Sequence, residues 1–164
     1  MRFIPPKLKA QQVIYLLGFM AAGKSYTGQA LAQRLNYHFV DLDDYIQQKT
    51  DYTISQLFAH IGTADFRIIE TFYLHQLVDN QPRPVVISLG GGTPCFGDNL
   101  AFIKKTGFSI FVNTPLALIF ERLKLDKKNR PLLAHLDGDM QLLHFIQQLY
   151  LQRYRFYSQA DLYW

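Results

Sequence analysis

Short apolar runs without polar alternation punctuate this chain, and between them apolar residues recur at steps of three and four. The first pattern belongs to strands covered on both faces, the second to helices with one buried side. Gln12–Gly18 (Gln-Val-Ile-Tyr-Leu-Leu-Gly) and Val85–Leu89 are predicted strands of the covered kind. Tyr37–Leu42, which ends in acids, Phe108–Val112 and Ala160–Trp164 are the other three. Helical spacing runs through Lys24–Asn36, where Ala30, Leu31 and Leu35 are apolar. From Asp44 to about Leu77 it continues through Ile54, Leu57, Phe58, Ile61, Phe66, Ile69, Phe72, Tyr73 and Leu77, predicting two or three helices broken near Gly62. Asn99–Lys105 is a shorter helix, Pro115 opens another in its first turn, and Asp139–Tyr157 is a long one. Pro82-Arg83-Pro84 is a turn, and Leu125–Gly138, charged and interrupted by Pro131, is expected to be a mobile loop. Strands alternating with helices imply a parallel sheet between helical layers. With no repeat and no linker, residues 1–164 are expected to form one α/β domain, an α/β/α sandwich around five parallel strands.

Composition narrows the class. At 164 residues the chain suits one domain, and 49% hydrophobic with 18% charged residues excludes a disordered protein. A single cysteine cannot form an internal disulfide, which suits a reducing compartment. The charge-free stretch Gln11–Gly23 is too short to span a bilayer, and the polar, proline-bearing start lacks a signal-peptide core. A soluble, cytoplasmic protein with no membrane partner is expected, and a monomer. Seventeen Lys and Arg against thirteen Asp and Glu give a net charge of +4, which favours polyanionic ligands without choosing among them. The basic residues are scattered, so no nucleic-acid partner is expected.

Gly18-Phe19-Met20-Ala21-Ala22-Gly23-Lys24-Ser25 matches G-x-x-x-x-G-K-[ST] throughout. A chain of this length would match by chance roughly once in two hundred, and here the motif also follows a buried strand and opens a helix. Loop amides and the free N–H groups of the helix then converge where the helix dipole also favours an anion. Gly18, Ala21, Ala22, Gly23, Lys24, Ser25 and Tyr26 are the candidate nucleotide-binding residues, Lys24 reaching the β- and γ-phosphates and Ser25 ligating Mg²⁺. The competing reading is a plain strand-turn-helix link.

The second strand ends in Asp41-Leu42-Asp43-Asp44. Ligands of open α/β sheets sit beyond the carboxyl ends of strands, and side chains two apart on extended backbone face the same way. Asp41 and Asp43 can therefore share the crevice, one serving a metal through water and the other taking a proton from an attacking hydroxyl. Equally, Asp43 or Asp44 can simply cap the next helix, and Asp44 is assigned to that role.

These motifs continue in order: Phe66-Arg67-Ile68-Ile69-Glu70, Gly90-Gly91-Gly92, Arg130-Pro131-Leu132-Leu133, and Arg153 with Tyr157. Together with the phosphate loop and Asp41-Leu42-Asp43, they resemble shikimate kinase over nearly the whole chain. The resemblance implies a P-loop fold of the nucleoside-monophosphate-kinase type, with a substrate-binding segment at about 42–80 and a lid at about 124–138. It implies ATP-dependent phosphorylation of the 3-hydroxyl of shikimate, within aromatic amino-acid synthesis. By motif position Ser25 and Asp41 would serve Mg²⁺, and Asp43 would bind shikimate hydroxyls and act as or near the general base. Arg67 and Arg153 would grip the carboxylate, Gly90, Gly91 and Gly92 would approach the ring, and Arg130 would bring lid charge to the phosphoryl group. Guanidinium forks suit a carboxylate, and glycines let backbone approach a ligand closely.

Each short motif also has a plainer reading. Arg67 and Glu70, three apart on a helix, can be a surface ion pair, whereas the resemblance implies that Glu70 positions Arg67. The glycine triplet can be an ordinary turn, and Lys127, Lys128 and Arg130 a solvated loop. Arg155 fits a cation near a helix C-terminus, and Arg122 is a weak candidate beside the adenine. Cys95 is read as a bystander near the crevice, and the five histidines lack metal-ligand spacing. Against the family pattern, Ala21 and Thr63 replace residues that are usually glycine and glutamate, and Tyr154-Arg155-Phe156 replaces a stretch that often holds proline. Other readings are a kinase for another small acceptor, such as gluconate or a nucleotide, or an inactive nucleotide-binding module.

Overall fold

The computed structural model describes residues 6–126, 132–133 and 135–164. Its centre is β1 (Val13–Leu17), whose five residues are all buried because helices cover both of its faces. Val13, Tyr15 and Leu17 face one apolar cluster, and Ile14 and Leu16 face the other, as the two-residue strand period requires. Each such aliphatic side chain contributes roughly 1.5–3 kcal/mol on burial.

Around β1 the sheet has the order β2-β3-β1-β4-β5, with β2 at His38–Asp41, β3 at Val85–Ser88, β4 at Phe108–Phe111 and β5 at Leu162–Tyr163. Every pairing is parallel. The last strand is held to β4 partly by Asp161, whose carboxylate accepts from the Ser109 amide (2.8 Å) and hydroxyl (2.6 Å).

Helix α1 (Lys24–Leu35) packs Leu31 and Ala32 on one face of the sheet. The other face is covered by α2 (Leu42–Thr50), α3 (Ile54–Asn80), α4 (Asn99–Thr106), α5 (Leu116–Asp126) and α6 (Gly138–Tyr157). The expected break near Gly62 is present: that residue adopts φ 74°, ψ 178° and divides α3 into two helical segments. Helix α3 starts on a capping box in which Thr53 and Gln56 each receive the other's backbone N–H.

Some boundaries differ from expectation. Helix α2 starts at Leu42, so Asp43 lies on a helix and not on extended backbone beside Asp41. The cap is Asp41, whose Oδ1 accepts from the Asp43 amide at 3.0 Å, and neither Asp43 nor Asp44 fills that role. The expected loop at 125–138 begins later, since α5 continues to Asp126, and Leu133 and Leu136 are buried in the core. Arg130, Lys127 and Lys128 lie outside the described residues. Among the described residues no helix is long and apolar enough to cross a membrane.

Candidate active site

Beyond the carboxyl ends of β1, β2 and β3 lies an open cleft of about 650 Å³, lined by Ala21, Gly23, Lys24, Ser25, Asp41, Asp43, Gly90 and Gly91 among others. The phosphate loop forms one wall. Gly23 is the N-cap of α1 at φ 92°, and Gly23, Lys24 and Ser25, at a helix start whose first amides have no intrahelical partner, line the cleft. Ala21 takes the left-handed conformation, φ 58°, where the family pattern has glycine; the methyl group is accommodated there at a steric cost. Gly18 and Ala22 do not line the cleft: the Ala22 methyl is buried and its amide donates to Phe19 O at 3.2 Å, closing the turn. Lys24 is largely buried, with Nζ donating to the same carbonyl at 2.9 Å, and Tyr26 stands at the rim, 81% exposed. Arg122 crosses from α5 to donate to Ala21 O at 2.8 Å, which makes it part of the loop wall.

At the floor of the cleft the Ser25 hydroxyl donates to Asp41 Oδ2 at 2.6 Å. This pair offers hard oxygen ligands at the base of the phosphate loop, a donor set that suits Mg²⁺ and leaves other positions to phosphate oxygens and water. Asp41 thus serves the helix with one oxygen and the cleft with the other. Asp44 and Asp126 also line the cleft, and the sequence pattern did not single either out for that position.

Asp43 lies deeper. Its carboxyl is pushed up to about 7 from 3.8, chiefly by burial and then by the neighbouring charges of Asp41 and Glu70, with Lys24 and Arg67 opposing. A carboxyl tuned to neutrality suits proton transfer near physiological pH. Asp43 also lines a second, smaller pocket of about 110 Å³, shared with Met20, Gly90 and Gly91 and extended by Arg67, Gly92 and Arg153. Ile54, Phe58, Phe66 and Leu132 supply its apolar side.

Charges in this second pocket are built in from beneath. Arg67 Nη1 bonds Glu70 Oε2 at 2.5 Å, and Glu70 is 1% exposed, so the pair is not the surface ion pair its spacing allowed. Arg153, one turn before Tyr157 on α6, is also largely buried and lies over the Phe19 ring. The triplet makes this arrangement possible. A Cβ on Gly92 would fall on the Arg67 guanidinium, and one on Gly90 would meet Glu70 Oε1 at 2.6 Å. Gly91 is hemmed by Met20 N and Arg153 Nη1, and its carbonyl accepts from the Tyr157 hydroxyl. The side chains that converge on the two pockets are therefore Lys24, Ser25, Asp41, Asp43, Arg67 and Arg153. Thr63 is exposed and lines neither pocket.

Comparison with known proteins bears directly on this arrangement. The family model described as shikimate kinase matches residues 20–163. The chain belongs to the shikimate kinase family. It is 42% identical over 148 residues to a shikimate kinase of Bacteroides thetaiotaomicron, an alignment covering 90% of this chain and 83% of that one. The crystal structure of shikimate kinase from Bacteroides thetaiotaomicron superposes with a TM-score of 0.86 at 41% identity, covering 94% of this chain and 86% of the other. That of shikimate kinase from Acinetobacter baumannii in complex with shikimate gives 0.81 at 34% identity, over 98% and 87%. The shikimate kinase family uses ATP as its phosphoryl donor.

Proposed function

We propose that the chain transfers the γ-phosphoryl group of ATP to the 3-hydroxyl of shikimate, giving shikimate 3-phosphate and ADP. The observation that carries this reading is the continuity of the two pockets. Lys24 and the phosphate loop line one pocket, Arg67 and Arg153 line the other, and Asp43, Gly90 and Gly91 line both.

Each group has a chemical task. Arg67 and Arg153 hold the carboxylate of the acceptor, and the apolar wall of Ile54, Phe58 and Phe66 accommodates its ring. That leaves the hydroxyl side of the ring toward Asp43, which accepts its hydrogen bond and takes its proton as the P–O bond forms. Lys24 offsets charge on the phosphates, and Arg130 adds a cation from the lid. Ser25 and Asp41 would hold Mg²⁺, which when bound neutralises charge on the phosphate oxygens. The reading implies a cytoplasmic monomer acting on a small molecule, with neither nucleic acid nor membrane as partner.

The test is ADP release by purified protein with ATP and Mg²⁺, offered shikimate, gluconate or nucleoside monophosphates in turn. Release that depends on shikimate is expected, and chelation of the divalent ion should abolish it. Turnover indifferent to shikimate but raised by another alcohol rejects the assignment.

A further inference from the structure

Beneath the acceptor pocket lies a set of buried hydrogen bonds that the motifs do not include. Thr93 and Asn99 are 0% and 1% exposed. The Thr93 hydroxyl donates to Glu70 Oε1 at 2.7 Å, while Glu70 Oε2 takes Arg67 Nη1. The Thr93 amide donates to Gly90 O at 3.1 Å, and its carbonyl accepts from Asn99 Nδ2 at 2.9 Å. Asn99 Nδ2 also reaches Thr71 Oγ1 at 3.0 Å, and that hydroxyl donates to Arg67 O at 2.9 Å. The chain of bonds thus returns to Arg67 through its backbone.

We propose that Thr93 and Asn99 are positioning residues for the acceptor carboxylate, acting through Glu70 to leave one edge of the Arg67 guanidinium open. This rests on the acceptor reading above. A guanidinium beside a carboxylate prefers two parallel bonds, and a Glu70 free to turn would take both. Thr93 prevents this by engaging the second carboxylate oxygen, so Glu70 holds Arg67 through one nitrogen only. The Gly92 backbone, against which the guanidinium lies, is tied to the same residue through the turn that Thr93 closes on Gly90. Asn99 holds the Thr93 carbonyl and keeps the turn in register with α3. A serine or threonine hydroxyl is required at position 93. A valine of the same shape fills the space but leaves Glu70 Oε1 without its donor, and Glu70 then closes on Arg67.

The test separates this from a merely structural role by changing the ligand's charge. In T93V, KM for shikimate should rise about tenfold, with KM for ATP and kcat within threefold of wild type. T93S should restore the shikimate KM to within twofold. The uncharged carboxamide of shikimate, used as an inhibitor, should show the same Ki against T93V and wild type, because it does not call on the open edge of Arg67. Equal losses for shikimate and the carboxamide, an unchanged shikimate KM, or no rescue by T93S would overturn the proposal. If T93V does not fold, Asn99→Ala provides the same readout: a shikimate KM raised about threefold with the carboxamide Ki unchanged, equal losses again overturning it. Wild-type protein run beside them keeps the questions apart: absence of shikimate turnover there would reject the activity itself, whereas normal turnover with an unaffected T93V would reject only the positioning role.

Discussion

At the phosphate-loop end of the cleft the lining comes mainly from one short stretch, Met20–Tyr26, joined by Asp41 and Arg122, and such a loop meets an anion chiefly through backbone amides. At the acceptor end the lining comes from side chains on α2, α3 and α6 and from the backbone of the triplet, carried on residues as far apart as Asp43 and Arg153. The first construction tolerates side-chain change, as Ala21 illustrates, because the ligand is met by N–H groups that every residue but proline owns. The second depends on long-range packing, with Glu70 and Arg153 buried where an unpaired charge would be costly. Errors at the acceptor end should therefore be the more damaging, and selective for one substrate.

The largest effect expected is on chemistry. Asp43→Asn should lower kcat by roughly 10²–10⁴-fold, the usual range for a general base, while ATP affinity measured by calorimetry stays within about twofold. Near-normal turnover would remove Asp43 from the mechanism. Gly92→Ala should come next, since its methyl group displaces the Arg67 guanidinium. We expect KM for shikimate to rise by about 10–100-fold with KM for ATP nearly unchanged, read from paired saturation curves. Equal damage to both substrates would erase the contrast between the two ends.

A third effect concerns stability. In protein free of nucleotide and divalent ion, the Asp43 carboxyl holds its proton up to about 7, whereas in the unfolded chain it releases it near 3.8. The folded state binds the extra proton between those values, so this group's contribution to stability falls as pH rises through the window. Asp43→Asn has no such dependence. Its Tm should match wild type near pH 4 and exceed it by several degrees above pH 7, on the order of 2–4 kcal/mol. A constant difference across that range would contradict the raised carboxyl. Smallest of all, Ala21→Gly should relieve the left-handed strain and raise stability by about 0.5–1 kcal/mol, with kinetic constants within about twofold.

The same contrast explains what could be read from the amino-acid order. The phosphate loop was legible because its function lies in consecutive residues, and the break in α3 because Gly62 interrupts a regular apolar spacing. All five strands were legible, β1 and β3 most clearly because they are covered apolar runs, though β5 is shorter than Ala160–Trp164. The start of α2 was not, since Asp41, Asp43 and Asp44 are equally good caps and only the bond to the Asp43 amide distinguishes them. The spacing of Arg67 and Glu70 allowed a surface pair as readily as a Glu70 that positions Arg67, because spacing reports the helix face and not what packs against it. Thr93 and Asn99 carried no signal: isolated polar residues after a glycine turn resemble any exposed loop, and their burial follows from α3 and α4 meeting there. Arg122 was noticed only as a possible neighbour of the base, and its bond to Ala21 O depends on where α5 lands.

A Cβ on Gly91 would crowd both the phosphate loop's Met20 amide and Arg153, and the residue's carbonyl is fastened to Tyr157. Gly91 thus belongs to the walls of both the donor and the acceptor pocket. A shift of this residue that suits one guest also reshapes the other's pocket, and thermodynamic linkage makes any such coupling equal in both directions.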